Sequence, residues 1–129
     1  MNPDFMNPMI LAYLGDSVFE LMVRNYLIVD KRIVKNKLLQ AEAILYVSAK
    51  SHYQFMKEAI KQNWLSEKEM DAYKRGRNHK GPKNESKEHI HSTGFEAMIG
   101  MLYLEQNQER LEEIFQLFKE FVETKMKQK

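Results

Sequence analysis

The sequence predicts an all-α domain, and three observations carry that prediction. Apolar residues recur at spacings of three and four along most of the chain, the period of one helix face. No stretch alternates apolar and polar residues for long enough to make a strand. The prolines, Pro3, Pro8 and Pro82, leave everything from Met9 to Gly81 free of that helix breaker.

The chain has 129 residues, 43% of them hydrophobic and 29% charged, which suits one folded domain over residues 1–129 with a single core. No apolar run approaches the ~18 to 20 residues of a membrane span. The opening "MNPDFMNP" lacks the basic segment and cleavage site of a signal peptide. A cytoplasmic protein with no membrane partner is therefore expected. The absence of cysteine removes disulfides, thiolate metal sites and a cysteine nucleophile. Net charge is only +2, so a nucleic-acid face has to come from a local patch.

Residues 9–29 are apolar on nearly every side, which predicts a buried central helix. Residues 35–62 carry a stripe at Leu38, Ala41, Leu45, Ala49, Met56 and Ile60, read as the face of a second helix. "SEKE", Ser66 to Glu69, has the form of a capping box and announces a short helix with Met70 and Tyr73 inward. A largely apolar helix follows over 86–104. Leu111, Ile114, Phe115, Phe118 and Val122 mark a final amphipathic one.

The interruption is "KRGRNHKGPKN", Lys74 to Asn84, read as a loop from Gly76, Gly81 and Pro82. It holds five cations, Lys74, Arg75, Arg77, Lys80 and Lys83, and no acid. Two readings stand: a solvated loop, or a phosphate-binding segment in which Asn78 and His79 add hydrogen-bond donors.

Gly15, Gly94 and Gly100 fall inside predicted helices, where each costs about 1 kcal/mol against alanine. Such positions mark close helix contacts or close approach of a ligand. All three flank acids: Gly15 precedes Asp16, and Gly94 and Gly100 bracket Glu96. Glu20 has Arg24 one turn on, in the favourable orientation, and reads as structural. Asp16 and Glu96 have no cation at helical neighbour spacing. Two such acids on apolar helices are what a divalent ion neutralises, and hard oxygen ligands favour Mg²⁺. His89 and His91, two apart, face different sides and make no zinc pair, and His52 is placed beside the second helix's stripe. No phosphate loop, serine triad or dinucleotide fingerprint is present.

"LAYLGDSVFEL" resembles the signature helix of the ribonuclease III family, and "STGFEAMIGMLYL" resembles that family's second acidic motif. "VSAKSHYQF" and "KRGRN" are similar to segments of its Mini-III subfamily, which lacks a double-stranded-RNA-binding domain. The resemblance implies a helical ribonuclease III endonuclease fold of about six helices. It implies a homodimer whose twofold interface covers part of the signature helix. It further implies a Mg²⁺-dependent endoribonuclease that cuts double-stranded RNA, leaving 5′-phosphate and 3′-hydroxyl ends. Asp16 and Glu96 would be its catalytic residues and metal ligands. Ala12 and Thr93 stand where typical members carry two further acids, which points to one firmly held ion per site. The Thr93 hydroxyl would then orient a metal-bound water. Lys74, Arg75, Arg77, Asn78, His79, Lys80 and Lys83, with Lys50, would contact the RNA. The implied cellular role is maturation of the 23S ribosomal RNA precursor, with a ribosomal protein as a further partner. The alternative is an inert scaffold of the same fold that binds RNA or the ribosome.

Overall fold

The computed structural model describes residues 2–79, 81 and 84–127. Among them are six α-helices and no strand: α1 (Pro8–Asn25), α2 (Asn36–Val47), α3 (Ala49–Lys61), α4 (Glu67–Arg77), α5 (Lys87–Leu104) and α6 (Gln108–Phe121). A short 3₁₀ turn at Pro3–Phe5 precedes them, and wide π-type turns extend α1 over Tyr26–Asp30 and α6 over Val122–Met126.

Local chemistry sets most of the boundaries. Asn7 caps α1 through the amide of Met9, with Pro8 at the first helical position. The Ser66–Glu69 capping box forms as the spacing predicts, with both reciprocal hydrogen bonds present. Ser86 and Asn107 cap α5 and α6 by accepting the amides of His89 and Arg110.

The single helix expected over 35–62 is two. Ser48 leaves the helical region (φ −70°, ψ 152°), ends α2, and caps α3 by accepting the amide of Ser51 at 3.2 Å. The predicted stripe is accordingly broken. Met56 is buried, but Leu38, Ala41 and Ile60 are exposed, and α3 turns Ser51, His52, Phe55, Met56 and Ala59 inward.

The central helix is α5, not the 9–29 segment. Its residues Ala97 to Leu102 are all buried, and it packs against α1, α3 and α4. α1 buries Leu11, Ala12, Gly15, Phe19 and Val23 but leaves Met9, Ile10, Tyr13 and Leu21 exposed along its other side. Phe19, Phe55, Phe95 and Phe118 form the middle of the core. Their ring centroids stand 4.7 to 5.8 Å apart in edge-on or tilted pairs, the arrangement their quadrupoles favour.

Two close crossings bring the acid-bearing helices into place. A Cβ at Gly15 would run into the carbonyl oxygen of Glu96, and one at Gly100 into the carbonyl oxygen of Leu11. α1 and α5 thus run antiparallel with their backbones in contact. Gly76, taken as a loop signal above, is a buried residue of α4 that lies against Gly94 and Ala97 of α5. At the far end Glu69 and Arg110 tie α4 to α6. No helix among the described residues is long and apolar enough to cross a membrane.

Candidate active site

The crossing at Gly15 decides where the acids stand. Asp16 is the next residue of α1, and Glu96 is the residue of α5 whose carbonyl Gly15 touches. The crossing thus brings the two acids together, closely enough for Asp16 to act on the Glu96 carboxyl. Asp16 is exposed and Glu96 half-buried, so the pair sits at the surface end of the crossing. Asp16 is therefore not a charge sunk in a core helix, because this side of α1 is open.

Burial, and then the hydrogen bond and charge of Asp16, push the Glu96 carboxyl up to about 9. Near neutral pH Glu96 therefore keeps its proton. Two acids that cannot both ionise in the absence of a counter-charge form a set of hard oxygen donors suited to a divalent cation. No third histidine, aspartate or glutamate completes a ligand cluster among the described residues.

Glu20 pairs with Arg24 at 3.5 Å, as its spacing predicts, and both side chains are well exposed. A pair of that kind contributes a few tenths of a kcal/mol and anchors nothing else. The Thr93 hydroxyl donates to the His89 carbonyl at 2.9 Å, which occupies its proton. Ala12 is buried against the core.

The basic segment is placed differently from its reading as a loop. Lys74, Arg75 and Arg77 form the last turn of α4, where their charges face the helix's negative end. Arg75 donates to the Met6 carbonyl at the entry to α1, a contact that fastens α4 to the N-terminus. Arg77 lies over the Tyr73 ring, 5.4 Å from its centroid, and donates to Asn78 at 3.2 Å. Lys74 and Asn78 are exposed and His79 half-exposed, while Lys80 and Lys83 lie outside the described residues. Lys50 is exposed in the first turn of α3.

The sequence reading undervalued His52. It is buried, with its ring against Phe95 and its two nitrogens on Ser92 and the Tyr46 carbonyl. Its sequence neighbours carry no sign of this, since both polar partners belong to other helices. The remaining histidines behave as their spacing suggests: His89 turns to Ser86, and His91 to Tyr73 and Tyr53.

Comparison with known proteins agrees with the acid motifs. Residues 10–107 match the ribonuclease III domain. The chain is 43% identical over 111 residues to a Mini-ribonuclease 3 of Staphylococcus aureus, covering 83% of this chain and 82% of that protein. It is 39% identical over 126 residues to the Mini-ribonuclease 3 of Symbiobacterium thermophilum, covering 95% of each. Among solved structures, protein FN1578 from Fusobacterium nucleatum is 28% identical with a TM-score of 0.74, over 92% of this chain and 93% of that one. The chain belongs to the ribonuclease III family, within its Mini-ribonuclease 3 branch.

Proposed function

We propose that this ribonuclease III-family endoribonuclease cuts double-stranded RNA at a Mg²⁺ site held by Asp16 and Glu96. The observation that carries the reading is the α1–α5 crossing, where the backbone contact of Gly15 with Glu96 brings the two acid-bearing positions together. When bound, Mg²⁺ supplies a water of lowered pKa and offsets charge on the scissile phosphate. Asp16, on the exposed side of α1, and half-buried Glu96 would hold the ion, and Glu96 would have to be deprotonated to do so. The backbone contact at Gly15 fixes how closely the two acid-bearing helices approach.

Double-stranded RNA is read mostly through phosphates and 2′-hydroxyls, which needs cations beside the acids. Lys74, Arg77, Asn78 and His79 lie at the end of α4 and just beyond it, and Lys50 at the start of α3. Lys80 and Lys83 belong to the same basic run. Arg75, already bonded to Met6, contributes charge more than a free donor. The exposed Tyr13 and Leu21 of α1 fit coverage by a second copy in a homodimer. A 23S ribosomal RNA precursor, met in the cytoplasm with a ribosomal protein beside it, fits an enzyme that chooses its substrate by shape.

The test is cleavage of long double-stranded RNA in Mg²⁺ by the wild type beside folded Asp16→Asn and Glu96→Gln variants. The expected result is products with 5′-phosphate and 3′-hydroxyl ends from the wild type alone. Equal cleavage by all three overturns the assigned site. RNA binding without cleavage by any of them favours an inert scaffold.

A further inference from the structure

His52 and Ser92 are buried polar groups that the reaction does not touch. The Nε2 atom of His52 stands 3.0 Å from the Tyr46 carbonyl oxygen. That oxygen can only accept, so Nε2 carries the ring's proton. Nδ1 is then an acceptor, and the Ser92 hydroxyl donates to it across 2.7 Å. Burial pulls the imidazole down to about 4, which leaves one neutral tautomer over the working pH range.

The same ring reaches both acid-bearing helices. It lies 4.5 Å from the centroid of Phe95, the residue before Glu96, and meets Phe19, three residues after Asp16, edge-on at 5.3 Å. Ser92 is one turn before Glu96 on the same side of α5. A residue that only filled space here would need no polar atoms, and burying an imidazole costs desolvation. What the two hydrogen bonds add is direction: they fix the ring's rotation and, through Ser92, the rotation of α5 about its own axis.

We propose that His52 is a positioning residue that, through Ser92, Phe95 and Phe19, sets the separation of the Asp16 and Glu96 carboxyl groups and hence their affinity for a divalent cation. The inference rests on the reading of that pair as a metal site.

Binding of Mn²⁺ to the RNA-free protein, followed by calorimetry, tests it. Ser92→Ala is expected to weaken Mn²⁺ binding about threefold, less than the roughly tenfold lost with a partner bonded to the ligand itself. Ser92→Thr, which keeps the hydroxyl, should recover most of that loss. Leu111→Ala, which removes a buried side chain of α6 away from the link, should lose stability at wild-type affinity. A second measurement needs no variant: long-range ¹⁵N correlations of the wild-type imidazole should show the proton on Nε2. A folded Ser92→Ala protein that binds Mn²⁺ as the wild type does, or a proton found on Nδ1, overturns the proposal. Failure of the metal reading looks different, because Asp16→Asn would then bind Mn²⁺ as well as the wild type while the His52 proton stays on Nε2.

Discussion

Gly15 lies directly against the main-chain carbonyl of Glu96, so the contact that lets α1 and α5 cross also sets the two acids side by side. The fit leaves no space for a methyl group, and the obstructing atoms are backbone. Gly15→Ala should therefore cost about 3 kcal/mol despite alanine's better helix propensity. A urea titration measures it; a stabilised Gly15→Ala protein would show that the helices can slide apart freely.

Glu96 and His52 should shape the pH dependence of the metal-free protein in opposite senses. Glu96 is raised to about 9, so between the ordinary carboxylate value and 9 the native state holds a proton the unfolded chain releases, and stability falls as pH rises. His52 is lowered to about 4, so between 4 and the ordinary imidazole value of 6.5 the unfolded chain takes up a proton the native state refuses, and stability rises with pH. The two slopes, about 1.4 kcal/mol per pH unit each, should nearly cancel from about pH 4.5 to 6.5 and leave a decline above it.

Removing either group exposes the other. Glu96→Gln should unmask the rising acid limb and leave the chelated protein at least about 2 kcal/mol more stable than the wild type at pH 8. Thermal melts in chelator across the pH range would show this. A Glu96→Gln profile that matches the wild type at every pH would mean that the pair does not share a proton.

Glu69 and Arg110 offer a stability contrast within one side chain's reach. Arg110 donates to both carboxylate oxygens of buried Glu69, at 2.7 and 2.9 Å, and to the Trp64 carbonyl at 2.8 Å. Its contact with Glu113 is exposed and longer, at 3.3 Å. Burial pushes the Glu69 carboxyl up, but Arg110 and the Ser66 amide outweigh it and hold it below the usual range. Arg110→Ala should cost about 3 kcal/mol by leaving that carboxylate buried and unpaired. Glu113→Ala should stay within about 0.5 kcal/mol. Equal losses from the two, compared by denaturant midpoints, would refute the distinction.

Where the signals were local, the sequence could be read. The Ser66–Glu69 box, the Glu20–Arg24 pair and the buried face of α6 all follow from residues within one or two turns. Asp16 and Glu96 were visible as acids without a neighbouring cation, one following Gly15 and the other bracketed by Gly94 and Gly100, though what brings them together is tertiary. Ser48 escaped because apolar spacing ran on across it, and a serine cap without a proline or glycine beside it is a weak stop. Gly76 was taken for a loop residue because it adjoins one, whereas its reason is Gly94 on another helix. His52 and Arg110 act through partners 40 and 41 positions away, a separation that periodicity does not register.

The Glu69–Arg110 link has one more consequence. It joins the first turn of α4 to the first turn of α6 and so closes the chain between them into a ring with no covalent bond. A protease that nicks the backbone between α4 and α5 would open that ring without freeing either end. The two pieces should travel together on a native gel, separate only in denaturant, and find each other again when it is removed.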